Sequence, residues 1–118
     1  MTDNNHEEQV IWTAIMADDN NDTDTETLDF LEYRVESGYR TYGKMLTTHN
    51  GRNAILDLCE EIGDAVFYSY QARLEAEDEG DDLRAEAMFH ISQAMISTLN
   101  ILVPKLPKLP STTTLHDD

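Results

Sequence analysis

The chain has 118 residues, enough for one domain, and its 24 acidic and 8 basic side chains give a net charge of −16. So acidic a chain argues against direct nucleic-acid binding, which relies on basic patches. The single Cys59 excludes an intramolecular disulfide and a cysteine metal cluster. We see no signal-peptide pattern and no apolar run as long as a membrane span, so we expect a cytoplasmic protein without membrane contact.

Helix formers dominate the middle of the chain, where Gly and Pro are scarce, and this predicts an all-α fold. We expect three parts: a flexible acidic N-terminal segment with a short apolar helix (1–24), a helical domain (25–103) and an extended tail rich in Pro and Lys (104–118). Within the first part, residues 9–16 (QVIWTAIM) indicate one or two helical turns that dock Trp12 on the body, or a short strand.

The first long helix is predicted from Thr25 or Thr27 to Tyr42. Its apolar stripe recurs every three or four residues and consists of Leu28, Leu31, Val35, Tyr39 and Tyr42. Glu32 and Glu36 lie one turn apart at the edge of this stripe. A carboxylate so near a buried surface needs a partner, because a buried unpaired charge is costly. A metal ion would serve, as would a nearby arginine or water.

The second long helix, predicted over residues 53–77, carries carboxylates on the face opposite its apolar residues. These are Asp57, Glu61 and Asp64, and like charges at such spacings repel each other. A divalent cation would offset the repulsion, since hard cations prefer oxygen ligands and Mg²⁺ combines a few carboxylates with substrate phosphates. The alternative is a solvated acidic face.

The third long helix is predicted over residues 82–103, with a main apolar stripe of Met88, Ile91, Met95, Leu99 and Leu102. So apolar a helix requires cover on more than one side. Three helices form a modest core for a monomer. We therefore expect a helical bundle of three long helices plus the short N-terminal segment, completed by a homodimer or a higher homo-oligomer.

The connection over residues 44–53 contains Gly51, which is suited to positive φ, and two basic residues. Lys44 and Arg52, with the helix N-terminus that follows, could hold a phosphate. Three aromatic residues could stack on a base, namely Tyr39, Tyr42 and Phe67.

Two acidic motifs, Glu32-Tyr33-Arg34-Val35-Glu36 and Glu61-Ile62-Gly63-Asp64, are separated by about two dozen residues. Together they resemble the E-E-x-x-E and E-x-x-D pair of the all-α nucleoside triphosphate pyrophosphohydrolases of the MazG type. Residues 38–43 and 46–53 look like the small MazG-like proteins coded by phages, and the resemblance covers residues 28–74. Tyr33 stands where the family has its second Glu, and Asp57, one turn before Glu61, could compensate for the missing carboxylate.

The resemblance implies Mg²⁺-dependent hydrolysis of a nucleoside or deoxynucleoside triphosphate to the monophosphate and pyrophosphate. Glu32, Glu36, Glu61 and Asp64 would be ligands of Mg²⁺, with Mn²⁺ as an alternative, and Asp57 or Glu61 would act as the general base. Two other functions stay open. The same fold could bind and sequester a nucleotide without hydrolysing it, or an acidic protein of this size could mimic nucleic acid and inhibit a DNA-binding partner.

Overall fold

The computed structural model describes residues 7–107, and these contain four α-helices, a short 3₁₀ turn and no β-strand. The helices are α1 (Ile11–Ala17), α2 (Thr25–Tyr42), α3 (Ala54–Asp78) and α4 (Asp82–Leu102), followed by the 3₁₀ turn Val103–Lys105. The all-α prediction is confirmed, and the predicted ends of the long helices lie close to the observed ones. No helix among these residues is long and apolar enough to cross a membrane.

Parts of two predicted segments lie outside the described residues. They are the first six residues of the acidic N-terminal segment and residues 108–118 of the tail rich in Pro and Lys. The chain divides into two compact units, the first ending at Arg52 and the second beginning at Asn53.

In the first unit, the segment before α1 pairs with the loop after α2. Val10 and Thr47 form an isolated antiparallel bridge. The Ile11 N–H donates to the Leu46 carbonyl at 2.9 Å, and the Thr48 N–H donates to the Gln9 carbonyl at 2.9 Å. We call this pairing of residues 9–11 with residues 46–48 the backbone clamp. The apolar N-terminal segment is therefore extended as far as Val10 and helical from Ile11 onward.

Helix α2 ends where the sequence predicts. Gly43 adopts a φ of 73°, and its N–H donates to the Tyr39 carbonyl at 2.7 Å. A residue with a Cβ would be strained in this left-handed conformation, which is why Gly terminates the helix here. The predicted apolar stripe is half-buried at Leu28, Leu31 and Val35, whereas Tyr39 and Tyr42 are 55% and 76% exposed.

The second unit is a helical hairpin in which α3 packs against α4. Side-chain caps begin both helices: the Asn53 Oδ1 accepts from the N–H groups of Ile55 and Leu56, and the Asp81 Oδ1 accepts from that of Arg84. Between the helices, Gly80 takes a φ of 73°, which allows the short turn. Asp81 is thus the cap of the third long helix.

Small side chains form the buried seam of the hairpin. They are Cys59, Ser69 and Ala76 on α3 and Ala85 and Ser92 on α4. The hydroxyl oxygens of Ser69 and Ser92 lie 2.7 Å apart across the seam. The predicted stripe of α4 included Ile91, which is 38% exposed, and left out Ser92, which is fully buried. Small residues let the two helices approach closely. Small side chains therefore occupy the contact positions, and the larger apolar residues lie on either side of them.

Many large apolar side chains of the hairpin stay in contact with solvent. Phe67 is 76% exposed, Leu74 is 56%, Leu83 is 83% and Ile101 is 64%. Exposed apolar surface of this kind is what an oligomer would cover. Completion of the fold by dimerisation stays a prediction.

Candidate functional site

The two carboxylates predicted on α2 line one cleft of the first unit. Glu32 and Glu36 are both exposed and lie one helical turn apart. The cleft has a volume of about 380 Å³ and is lined by Trp12, Glu32, Val35, Glu36, Tyr39, Arg40 and Met45. We call it the Trp12 cleft. It joins carboxylates, a guanidinium group and two aromatic rings on a single surface.

The backbone clamp brings Trp12 to this cleft. The amide of Ile11, the residue before Trp12, is bonded to the carbonyl of Leu46, the residue after Met45. The two segments of the clamp therefore bring Trp12 and Met45 to the same cleft, and both residues are half-buried. Trp12 was not among the predicted site residues. A signal was present, since it is the only Trp of the chain and lies in its short apolar N-terminal segment.

The three aromatic residues predicted to stack on a base lie in different places. Tyr39 lines the Trp12 cleft. Tyr42, the last residue of α2, does not, and it is 76% exposed. Phe67 belongs to α3 in the second unit. Within the first unit, the pair that shares a cleft with the carboxylates is thus Trp12 and Tyr39.

The second pair of predicted metal ligands lies on α3. Glu61 and Asp64 are exposed and three residues apart, on the helical face that points away from the buried seam with α4. Asp57 lies one turn before Glu61 and is half-buried. The prediction that these three carboxylates share a helical face agrees with the continuous helix Ala54–Asp78.

The two predicted phosphate contacts are exposed residues of the connection between α2 and α3. Lys44 follows Gly43 directly, and Arg52 follows Gly51, whose φ is 86°. At the start of α3, the Asn53 side chain already accepts from two backbone N–H groups. Those two donors are occupied, so a phosphate at this connection would depend chiefly on the side chains of Lys44 and Arg52.

The chemistry of the predicted metal ligands suits Mg²⁺, because all four are carboxylates and Mg²⁺ prefers oxygen. Within residues 7–107, however, no group of three or more His, Cys, Asp or Glu side chains is arranged to hold a metal ion. Each carboxylate pair therefore needs further oxygen ligands, which water and a nucleotide's phosphates supply at typical Mg²⁺ sites. Tyr33, which the resemblance aligns with the second Glu of the MazG-type motif, is 56% exposed, and its ring centroid lies 6.2 Å from that of Phe30.

Comparison with models of protein families, with curated protein sequences and with solved structures found no match. The resemblance to the MazG-type enzymes therefore rests on its motif residues alone. Each motif falls within one helix, the first on α2 and the second on α3, and residues 43–53 connect them.

Proposed function

We propose that the protein is a Mg²⁺-dependent hydrolase that converts a nucleoside or deoxynucleoside triphosphate to the monophosphate and pyrophosphate. One observation carries the proposal: Glu32 and Glu36 share a cleft with Trp12 and Tyr39. Carboxylates suit a metal-bound phosphate chain, and aromatic rings suit a base, so one cleft combines the two chemistries that a nucleotide requires.

Each residue has a role in this proposal. Glu32, Glu36, Glu61 and Asp64 supply oxygen ligands, while Lys44 and Arg52 bind phosphate oxygens. When bound, Mg²⁺ neutralises charge on the phosphate chain and lowers the pKa of a coordinated water. Asp57 or Glu61 accepts the proton of the attacking water as general base. Arg40, which also lines the cleft, adds a cation that can pair with a phosphate oxygen.

The test is pyrophosphate release from a panel of ribonucleoside and deoxyribonucleoside triphosphates in the presence of Mg²⁺. Glu61→Gln and Asp64→Asn should each lower the rate by about two orders of magnitude or more, the effect of losing a general base or a metal ligand. Glu60→Gln is the matched control, because it makes the same change at the neighbouring exposed position of α3. Unchanged release in both site variants would contradict the site assignment.

Tyr33 favours a second candidate, a protein that binds a nucleotide and does not hydrolyse it. An exposed tyrosine stands where the resemblance places a second carboxylate, and a site with one metal ligand fewer supplies less of the metal-ion chemistry that turnover needs. Saturable binding in calorimetry with no product over hours would favour this function. Salt-sensitive capture of a DNA-binding protein that survives Glu61→Gln would instead favour an acidic mimic of nucleic acid.

A further inference from the structure

The side chains that line the Trp12 cleft are of two kinds. Trp12, Val35, Tyr39 and Met45 are apolar or aromatic, and Glu32, Glu36 and Arg40 are charged. If the charged side chains bind the phosphate chain and its metal, as in the proposed function, the base of the same nucleotide meets the apolar and aromatic ones. We infer that Trp12 is the surface on which the base stacks, and that the site accepts different bases with a preference for purines. This inference rests on the proposed function.

Trp12 is better prepared for stacking than Tyr42 or Phe67. It is half-buried, and the backbone clamp fixes the start of its helix. Tyr42 and Phe67 are each 76% exposed, so a base would have to immobilise those side chains on binding. Immobilising a mobile side chain costs free energy, whereas a held ring avoids most of that cost. Trp also offers the largest aromatic face of any residue.

The lining of the cleft determines how a base would be recognised. Its uncharged hydrogen-bonding groups are the Trp12 indole N–H and the Tyr39 hydroxyl, whereas Val35 and Met45 offer apolar contact only. Such a lining contacts the flat face of a base more than its hydrogen-bonding edge. Stacking tolerates any base, because every base has a π face, and larger purine rings overlap more. A site that forms hydrogen bonds to a specific ligand group discriminates against a ligand that lacks this group by about 10⁴-fold to 10⁵-fold. Here we expect purines to bind less than about 100-fold more tightly than pyrimidines.

The chain's single Trp provides a direct readout. Full-length protein is titrated in Mg²⁺ with α,β-methylene analogues of ATP and CTP, in which the bond to be cleaved is blocked. Both analogues should change Trp12 fluorescence saturably, and the ATP analogue should bind more tightly. Inorganic tripolyphosphate, which lacks a base, is the ligand control.

Calorimetry on variants separates the contribution of the base to binding from that of the phosphate chain. Trp12→Ala should raise the Kd of the ATP analogue about 5-fold to 140-fold, the measured range for loss of one stacking partner. The same variant should leave the Kd of tripolyphosphate within about twofold. Met16→Ala is the matched control, because Met16 is an exposed residue of α1 that does not line the cleft. Circular dichroism verifies that each variant is folded.

The outcomes separate this inference from the proposed function. If pyrophosphate is released but Trp12→Ala weakens tripolyphosphate as much as the analogue, the stacking role is overturned and the hydrolase proposal stands. Discrimination between bases above about 10⁴-fold would likewise overturn the stacking mode. If no nucleotide binds or reacts, both fail. Should Trp12→Ala not fold, Trp12→Phe replaces it and should raise KM for ATP while kcat stays unchanged, the pattern of lost uniform binding.

Discussion

Two buried serines, Ser69 and Ser92, meet in the seam where α3 packs against α4. Substituting them tests the hydrogen bonding across this seam. Their hydroxyl oxygens lie 2.7 Å apart. Each hydroxyl also contacts a carbonyl of its own helix, Ser69 at 2.8 Å from Val66 and Ser92 at 2.9 Å from Met88. Three short oxygen contacts share two hydroxyl hydrogens, so the three hydrogen bonds cannot all exist at once.

This shortage of hydrogens determines what each substitution costs. After Ser69→Ala or Ser92→Ala, the remaining hydroxyl still donates to its own carbonyl, so no buried donor is left unpaired. The loss is one hydrogen bond of about 1 kcal/mol, offset by about 0.5 kcal/mol from the higher helix propensity of Ala. Each single variant should therefore lose about 0.5 kcal/mol of unfolding free energy. The double variant loses both hydrogen bonds and gains propensity twice, so it should lose about 1 kcal/mol, the sum of the losses of the two single variants.

Urea unfolding followed by circular dichroism at the helical band measures these free energies. Ser92→Leu is the control for sensitivity, because it forces a larger side chain into a fully buried position and should cost roughly 1–3 kcal/mol or more. If each single variant loses about 1.5 kcal/mol and the double variant about 2 kcal/mol, less than the two combined, all three hydrogen bonds exist and the shared-hydrogen argument is refuted.

Two further substitutions test the motif residues. Tyr33→Glu supplies the second carboxylate of the E-E-x-x-E pattern at an exposed position, so it should change the free energy of unfolding by less than about 0.5 kcal/mol. It should also lower the Mg²⁺ concentration needed for half-maximal pyrophosphate release. An unchanged Mg²⁺ dependence would show that this position is no ligand. Gly63→Ala adds a Cβ that meets no atom within 4 Å inside α3, so it should stabilise the chain by roughly 0.5–1 kcal/mol in urea unfolding. A loss of stability would mean that another surface covers Gly63.

The ends of the long helices could be predicted from the sequence because the signals that set them are local. Gly43 supplies the left-handed residue after α2, and Asp81 supplies the first hydrogen-bond acceptor of α4. The pairing of Glu32 with Glu36 on one helical face is local too, since it depends on spacing alone.

The contents of the cleft and of the seam could not be predicted in the same way. Trp12 reaches the cleft through backbone pairing between residues 9–11 and residues 46–48. No periodic pattern in the sequence indicates that these two segments pair. Ser92 is buried because the two helices approach closely, and a search for large apolar residues selects Ile91 instead. Both depend on contacts between distant segments, which propensity and periodicity do not encode.

The backbone clamp also affects the order in which the chain acquires its structure during synthesis. Gln9 donates to the hydroxyl of Thr48, 39 residues away, whereas the turn at Gly80 joins neighbouring helices. A hairpin closes over a short loop at low entropic cost, but the clamp must close a long one. A ribosome releases the N-terminus first, so α1 has to wait for the loop after α2 to emerge. Trp12 is therefore expected to reach its final environment late, and the shift of its emission during refolding would time that step.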